Sequence, residues 1–359
     1  MSTQAMSRSV DPDKMQALLN QAVADMGAAM HSVLLVIGDR LGLYRVMASG
    51  EPMTPAELAR RTGTFERYVR EWLNANAAAK YVEYDAASGM YFMTPEQAQL
   101  LSQGGMAMDL PGLYHFIASC MKDEEKITEV FRTGKGFGWH EHEKGLFEGT
   151  ERFFRPNYLA NLTTNWIPAL DGVEAKLRQG ARVADIGCGH GASTILMAQT
   201  YPKSEFFGFD YHEASIERAR KTAAEAGLSD RVKFEVAPAQ AYPGENYDFA
   251  ACFDCLHDMG DPAGAARHVL QSLAKDGTWM IVEPRAGDDT VANLNPVGKI
   301  FYSASTICCV PASLSQEVGA GLGAQAGEKK IREVVMQGGF THFRRAAETP
   351  FNMVFEARR

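Results

Sequence analysis

Basic charge is the first thing this 359-residue chain has little of: 36 Lys and Arg stand against 44 Asp and Glu, a net charge of −8. A chain with that balance is poorly equipped to neutralise a phosphate backbone, so nucleic acid is not an expected partner. Cysteine is sparse as well. Cys120, Cys188, Cys252, Cys255, Cys308 and Cys309 are scattered along the chain, which speaks against a disulfide framework and for the reduced thiols of a cytoplasmic protein. No uninterrupted apolar run approaches the ~20 residues that cross a bilayer, so a membrane is not an expected partner. The opening MSTQAMSRSVDPDK has no apolar core, and a signal peptide is not expected either. Internal repeats and low-complexity tracts are missing too. What remains has a globular composition, 46% hydrophobic and 22% charged. The chain is long enough for two cores, because single cores stop growing at roughly 250–300 residues.

Residues 13–37 carry Met15, Leu18, Leu19, Ala22, Val23, Met26, Met30, Val33, Leu34 and Ile37 at helical spacing. Thr54 followed by Glu57 forms a capping box that opens a short helix ending near Gly63. Thr64 is expected to cap a second helix with Tyr68, Val69, Trp72 and Leu73 on its inner side, and two short strands, YVEY and MYFMT, follow around DAASG. Helix, turn, helix, hairpin is a winged helix. Residues 105–175 read as a helical connector centred on GKGFGWHEHEKGLFEGTERFFRPNY.

From residue 182 the period changes. The strand-like runs RVADIG, EFFGFD, VKFEVA, YDFAACFD and TWMIVEP alternate with helical stretches at 192–200, 213–227, 262–275 and 328–337. That alternation implies a doubly wound parallel sheet of the α/β class. The run VADIGCGHGAS is an apolar strand, then Gly187, Gly189 and Gly191, then a helix. Such glycines bring backbone amides against a ligand at a helix N-terminus. Asp210 ends the next strand, where a carboxylate can accept from both hydroxyls of a ribose. The full dinucleotide pattern is absent, since Ala192 stands where its third glycine belongs; a nicotinamide-binding Rossmann domain is the competing reading.

VADIGCGHGAS, FFGFDYH, YDFAACFDCLHD and TWMIVEP, in that order, resemble a class I S-adenosylmethionine-dependent methyltransferase over roughly residues 178–359. The resemblance implies a Rossmann-like sheet of seven strands with the last one antiparallel. It implies S-adenosylmethionine as cofactor and S-adenosylhomocysteine as product. Gly187, Gly189 and Gly191 would line the methionine and ribose portion, and Asp185 would orient that loop or the methionine ammonium. Asp210 would bind the ribose hydroxyls, Tyr211 would lie against adenine, and Phe253 and Asp254 would border the donor at the end of their strand. Pro238 occupies the place where many relatives carry an adenine-binding carboxylate, and by the resemblance Gln240 would take that role through its carbonyl.

The abrupt end of CFDCLHDMGDP then acquires a meaning. Small-molecule O-methyltransferases place a general-base histidine in a similar LHD context, followed by a helix and a strand ending in Glu, and His257 and Glu283 match that arrangement. Transfer from a sulfonium is an in-line displacement. A hydroxyl becomes a good nucleophile as its proton leaves, an imidazole can take the proton, and a carboxylate behind it fixes the tautomer. Asp258 is expected to cap the following turn or helix. Relatives that methylate nitrogen, sulfur or carbon need no base, which keeps a base-free alternative open.

The connector is expected to fold over the site as a lid, with Trp139, His140, His142, Phe153, Phe154, Tyr158 and Trp166 among the substrate contacts. His140 and His142 form an H-x-H that, on a strand, can bind metal; no third ligand lies nearby in sequence, and no metal is assigned. The insertion NLNPVGKIFYSASTICCVP is expected to close the acceptor pocket through Asn295, Tyr302 and Ser305, with Cys308 and Cys309 as packing residues.

A winged helix also suits a cofactor-sensing DNA-binding regulator, with Arg67 and Arg70 as recognition candidates. Residues 51–95 carry five basic against six acidic side chains, without the basic face such a module needs. The resemblance instead implies a homodimer through this domain. The expected organisation is a winged-helix dimerisation domain (1–104), a helical connector and lid (105–177), and a methyltransferase domain (178–359). The expected function is methylation of a small molecule, at oxygen, with His257 as base.

Overall fold

A computed structural model describes residues 10–102 and 109–359. The domain boundary expected at residue 104 and the first nine residues of the N-terminal segment lie outside them. In the C-terminal half, the apolar runs read above become parallel strands. These are β3 (Arg182–Ile186), β4 (Glu205–Asp210), β5 (Val232–Val236), β6 (Tyr247–Phe253) and β7 (Leu273–Pro284), numbered after the hairpin strands β1 (Glu83–Asp85) and β2 (Met90–Phe92). Two further strands, β8 (His342–Glu348) and β9 (Asn352–Arg358), complete a seven-stranded sheet in the order β5-β4-β3-β6-β7-β9-β8. β9 runs antiparallel to both of its neighbours.

The central strands are apolar on both faces because helices cover both faces. One core gathers Phe206, Phe234, Phe249, Met280 and Val354 with Trp166 and Leu177, and the other gathers Phe209, Tyr242, Trp279 and Phe355 with Ile331 and Phe340. The strand order reverses between β3 and β6. That crevice, at the carboxyl ends of the strands, is where ligands bind in open α/β sheets.

The N-terminal part is the expected helix, turn, helix, hairpin around its own core of Leu35, Tyr44, Leu58, Trp72, Leu73 and Tyr91. Thr54 caps the helix Pro55–Thr62 through the Glu57 amide, but the expected box is only half made, because the Glu57 carboxylate turns to Arg60 and Arg61. Thr64 does not cap the next helix. Phe65 occupies that position without a side-chain bond, and the Thr64 hydroxyl pairs with Thr62 instead.

The first helix, Pro12–Arg40, spans the residues whose apolar spacing is helical in the sequence. Only His31, Ser32, Leu35, Val36 and Gly38 of it are buried. Leu18, Leu19, Val23, Met26, Met30, Val33 and Ile37 face outward, so packing within the chain does not account for its apolar stripe. No uninterrupted apolar run of bilayer length stands in the sequence, yet helices Pro12–Arg40 and Pro296–Leu314 reach that length and mean apolarity with polar residues among them, as core helices also do.

The connector consists of helices Leu110–Lys122, Glu124–Thr133 and Lys144–Asn161 with short irregular turns. Its first and third helices cross closely: a Cβ on Gly149 would stand 2.5 Å from the Phe116 amide nitrogen, and one on Gly112 would stand 2.6 Å from Arg152 Cβ. Asp39 at the end of the first helix accepts from Arg152 Nη1 at 2.6 Å and lies 2.9 Å from His115 Nε2. Arg152 Nε also donates to Asp109 at 2.9 Å. This network joins the winged helix to the connector.

Candidate functional site

Three parts of the chain meet in one cavity of about 2180 Å³ at the strand-order reversal. Ordinary small-molecule sites occupy roughly 300–1,000 Å³, so this one has room for two ligands side by side. One end of it is built by the turn after β3. Gly187, Gly189 and Gly191 all take left-handed φ, +71°, +51° and +78°, which only glycine adopts at low cost. The space differs among them. A Cβ on Gly191 would stand 2.5 Å from the Phe234 ring and one on Gly187 2.7 Å from Cys255 Sγ, whereas one on Gly189 would meet nothing within 4 Å. Gly187 and Gly189 line the cavity, and Gly191 lies behind them as the cap of helix Ala192–Thr200.

Asp185 is fully buried and does not reach the cavity wall. Its Oδ2 accepts from the Ser193 and Thr194 hydroxyls at 2.7 and 2.6 Å, tying β3 to the helix after the glycines. Burial, with Asp210 nearby and against those two hydroxyls, pushes its carboxyl up to about 6. Asp210 lines the cavity and accepts from the Gly189 amide at 3.0 Å and the His212 amide at 2.9 Å. Tyr211 and Gln240 also line it, Gln240 with its amide donating to the Asp261 carbonyl at 3.3 Å.

The connector closes over this end. His140 packs edge-on against Tyr211, and Phe147 stacks on His212 with centroids 4.7 Å apart. His190 of the glycine turn pairs with Glu151 of the connector at 2.8 Å.

At the end of β6, Phe253 and Asp254 border the cavity. Asp254 holds a left-handed φ of +50°. Its Oδ1 accepts from Asn352 Nδ2 at 2.7 Å, and Asn352 in turn accepts from Asn157 of the connector at 2.7 Å. Its Oδ2 is buried without a partner. Buried polar groups are ordinarily hydrogen-bonded, so an orphaned carboxylate oxygen at a cavity wall fits a cationic or donor-bearing ligand. The Asn157–Asn352–Asp254 chain is a feature that the sequence reading missed.

His257 sits on the short turn after β6, 3% exposed, with its ring on the cavity wall. Nδ1 lies 2.5 Å from Glu283 Oε2, and Glu283 Oε1 accepts the Leu256 amide at 3.0 Å. Glu283 therefore holds Nδ1 as the protonated nitrogen and leaves Nε2 on the other side of the ring. Asp258 does not cap the following helix, as had been expected. Asp261 does so through the Gly264 amide, while Asp258 Oδ1 lies 3.1 Å from His257 Nε2. Burial alone would push the imidazole down, but Glu283 and Asp258 together carry it well above the ordinary histidine value.

Trp139, Phe153, Phe154 and Tyr158 of the expected substrate contacts line the cavity. Six others do not. His140 faces solvent on a 3₁₀ turn rather than a strand. His142 is buried against Asp123, Nδ1 to Oδ2 2.8 Å, so the two histidines of H-x-H point apart and share no metal. Trp166 is fully buried in the sheet core. Asn295 turns its side chain back to cap helix Pro296–Ala304 through Gly298 N–H. Ser305 accepts the Ala324 amide, and the Tyr302 hydroxyl lies toward Asn293. Their neighbours on the same helix, Ile300, Phe301 and Ile307, form the wall instead, joined by Leu113, Ile117 and Phe131 of the connector.

The fold and this site define an α/β domain with one large covered cavity at the carboxyl ends of its parallel strands. Residues 177–335 match the family model described as a methyltransferase domain, and residues 29–103 match the one described as an Rv2258c-like winged HTH domain. The chain thus carries a methyltransferase domain behind a winged helix.

Among curated proteins, it is similar to the ubiquinone biosynthesis O-methyltransferase of Bordetella avium, 30% identical over 42% of this chain and 58% of that one. It is also similar to the 27-O-demethylrifamycin SV methyltransferase of Amycolatopsis mediterranei, 36% identical over 39% of this chain and 54% of that one. The chain therefore spans little more than half the length of these relatives. Whole-chain likeness is found among solved structures. The mitomycin 7-O-methyltransferase MmcR aligns with a TM-score of 0.70 at 17% identity, over 97% of this chain and 100% of that one. Human N-acetylserotonin methyltransferase, solved with SAM, aligns at 0.67 and 16%, over 99% of both.

Proposed function

We propose that the protein methylates a hydroxyl of a small, largely apolar molecule, using S-adenosylmethionine as methyl donor. The observation that carries this reading is the His257–Glu283 pair, buried at the wall of a cavity that also contains the glycine turn. S-adenosylmethionine, when bound, supplies an electrophilic methyl on a sulfonium. The residues present fit it: the glycine turn leaves room at Gly189, Asp210 ends β4 beside that turn, and the unpartnered oxygen of Asp254 suits a positive ligand.

His257 acts as general base. Glu283 keeps the proton on Nδ1 and stabilises the imidazolium that forms when Nε2 takes the acceptor's proton. General-base assistance of this kind is typically worth ~10²–10⁴ in rate. The acceptor hydroxyl takes the place of Asp258 beside Nε2. A base held above its ordinary value loses its proton more readily once a sulfonium charge is near. Trp139, Phe153, Phe154 and Phe301 exclude water and select a planar or apolar acceptor. The O-methyltransferase NcsB1, solved in complex with naphthoic acids, supports such a class, with TM-scores of 0.62 and 0.60 to this chain.

The winged helix serves dimerisation rather than DNA binding. Arg67 and Arg70 are each engaged by an acidic residue of their own helix, at 2.6 Å with Glu71 and 2.5 Å with Glu66. The outward stripe of helix Pro12–Arg40 is the surface a second copy covers. The domain limits follow this division of labour, with the connector as lid between residues 105 and 177.

The test is transfer of labelled methyl from S-adenosylmethionine into a small-metabolite extract. Label in a small molecule that is released by mild ether cleavage supports the reading. Label on nitrogen, sulfur or carbon moves the protein to the base-free class. Sequence-specific DNA binding without any turnover makes it a regulator.

A further inference from the structure

The wall beside His257 holds a second set of chemistry that methyl transfer does not use. Cys309, buried on the π-helical turn Ser305–Cys309, brings its thiol beside His257 and Asp258. One ligand atom from each of His257, Asp258 and Cys309 lies within 4.8 Å of the other two. They come from two stretches of chain: the turn after β6 supplies His257 and Asp258, and the helical insertion supplies Cys309.

We propose that His257, Asp258 and Cys309 form a binding site for a soft divalent cation of the zinc type, whose occupation takes the catalytic imidazole out of action. Four observations point the same way. The donor set is mixed nitrogen, oxygen and sulfur, which favours zinc or cobalt over magnesium or calcium, since the latter prefer oxygen alone. Glu283 already holds Nδ1, leaving Nε2 for a metal, and a carboxylate behind a ligating histidine is the usual support of such sites. Asp258 Oδ1 is buried and has no partner besides His257 Nε2 at 3.1 Å, a contact that a cation between the two atoms would replace. All three residues line the cavity, so a fourth position is open to water.

Zinc bonds of about 2.0–2.3 Å require ligand atoms roughly 3.3–3.7 Å apart. His257 Nε2 and Asp258 Oδ1 already stand 3.1 Å apart, and one ligand atom of each of the three residues lies within 4.8 Å of the others, so small side-chain adjustments complete the set. On binding, the Cys309 thiol gives its proton to solvent and becomes the thiolate ligand. The existence of the site does not depend on His257 being the base; only the inhibition does.

The experiment uses the full-length protein after chelator treatment. Cobalt(II) is titrated in, and the thiolate-to-cobalt charge-transfer absorption and the intensified bands of four-coordinate cobalt are read. Wild type is expected to bind one cobalt per chain with both signatures, and zinc to displace it. Cys309→Ser is expected to lose the charge-transfer band and to bind zinc at least ~10-fold more weakly, while its melting temperature and S-adenosylmethionine affinity confirm that it folds.

Zinc should suppress turnover in wild type and do so far less in Cys309→Ser, each compared with its own metal-free rate; magnesium should suppress neither. Absence of the charge-transfer band in wild type overturns the proposal, as does its persistence in Cys309→Ser. Tight zinc binding with undiminished turnover overturns the inhibitory role. Failure of the base reading looks different: His257→Ala then loses the metal but keeps its methyl transfer.

Discussion

His257 Nδ1 and Glu283 Oε2 lie 2.5 Å apart, although 26 residues separate them in the chain. The contact exists because β6 and β7 are parallel neighbours, so the turn after one lies beside the carboxyl end of the other. A parallel pairing thus converts two distant sequence positions into one proton-handling unit at the strand-order reversal. The other half of the arrangement is Asp258, placed on the opposite side of the ring.

This two-sided hold sets a pH dependence. The imidazole must lose a proton before it can act, and Glu283 and Asp258 keep it charged to higher pH than an ordinary histidine. In metal-free enzyme, kcat/KM for the methyl donor is therefore expected to rise with pH along a limb lying above ~6.5. Asp258→Asn removes one of the carboxylates and is expected to move that limb to lower pH. Profiles of the two proteins, measured in the same buffers, check the point. A limb that stays in place would detach Asp258 from the titration.

The joint between winged helix and connector carries its own pH signature. Burial would raise the Asp39 carboxyl, but the hydrogen bonds from His115 and Arg152 outweigh it and hold the carboxyl well below the ordinary range. A depressed folded-state value contributes stability above the unfolded value of ~3.9 and loses it as the pH falls below that. Thermal melts should show the protein weakening from about pH 4 downward. Asp39→Asn is expected to cost about 1–3 kcal/mol at pH 7 and to flatten the acid dependence. Equal acid sensitivity in the variant would assign the loss to other carboxylates.

The glycine turn predicts a ranking. Gly191→Ala must displace the Phe234 ring as well as adopt a left-handed φ, whereas Gly189→Ala meets only the second difficulty. The first is expected to lose more stability, by at least ~1 kcal/mol, and to bind S-adenosylmethionine poorly. Denaturant melts and calorimetric titration separate the two effects, and the reverse order would contradict the packing described.

Helix Pro12–Arg40 predicts an oligomer. Val23, Met26 and Met30 are 63%, 59% and 78% exposed on one chain, an apolar surface that a second copy would bury. Light scattering on a sizing column is expected to give a dimer, and Val23→Asp with Met26→Asp a monomer or a strongly weakened dimer. A wild-type monomer at micromolar concentration would remove the dimer from the account.

Much of this was legible in sequence because it was local. Apolar runs closed by glycine or aspartate marked β3, β4 and β6, and Thr54 with Glu57 marked a helix start. What was not legible depended on rotation or on distant pairing. Tyr302 and Ser305 were placed on the right helical insertion but on the wrong face; their neighbours Phe301 and Ile307 meet the cavity instead. Trp166 reads as a wall residue in the sequence because it is aromatic, yet it fills the core beneath the sheet. No local pattern announces that Asp123 would bury His142, that Asn352 would hold Asp254, or that Cys309 would lie beside His257.

The measurement that tests the central claim most directly is single-turnover methyl transfer by wild type, His257→Ala and Glu283→Gln, with S-adenosylmethionine affinity measured on each by calorimetry. The account predicts donor affinities within a few-fold of one another, and transfer slowed by at least ~10² in His257→Ala and by a comparable factor in Glu283→Gln. Transfer in His257→Ala at the wild-type rate, with donor affinity intact, would contradict it.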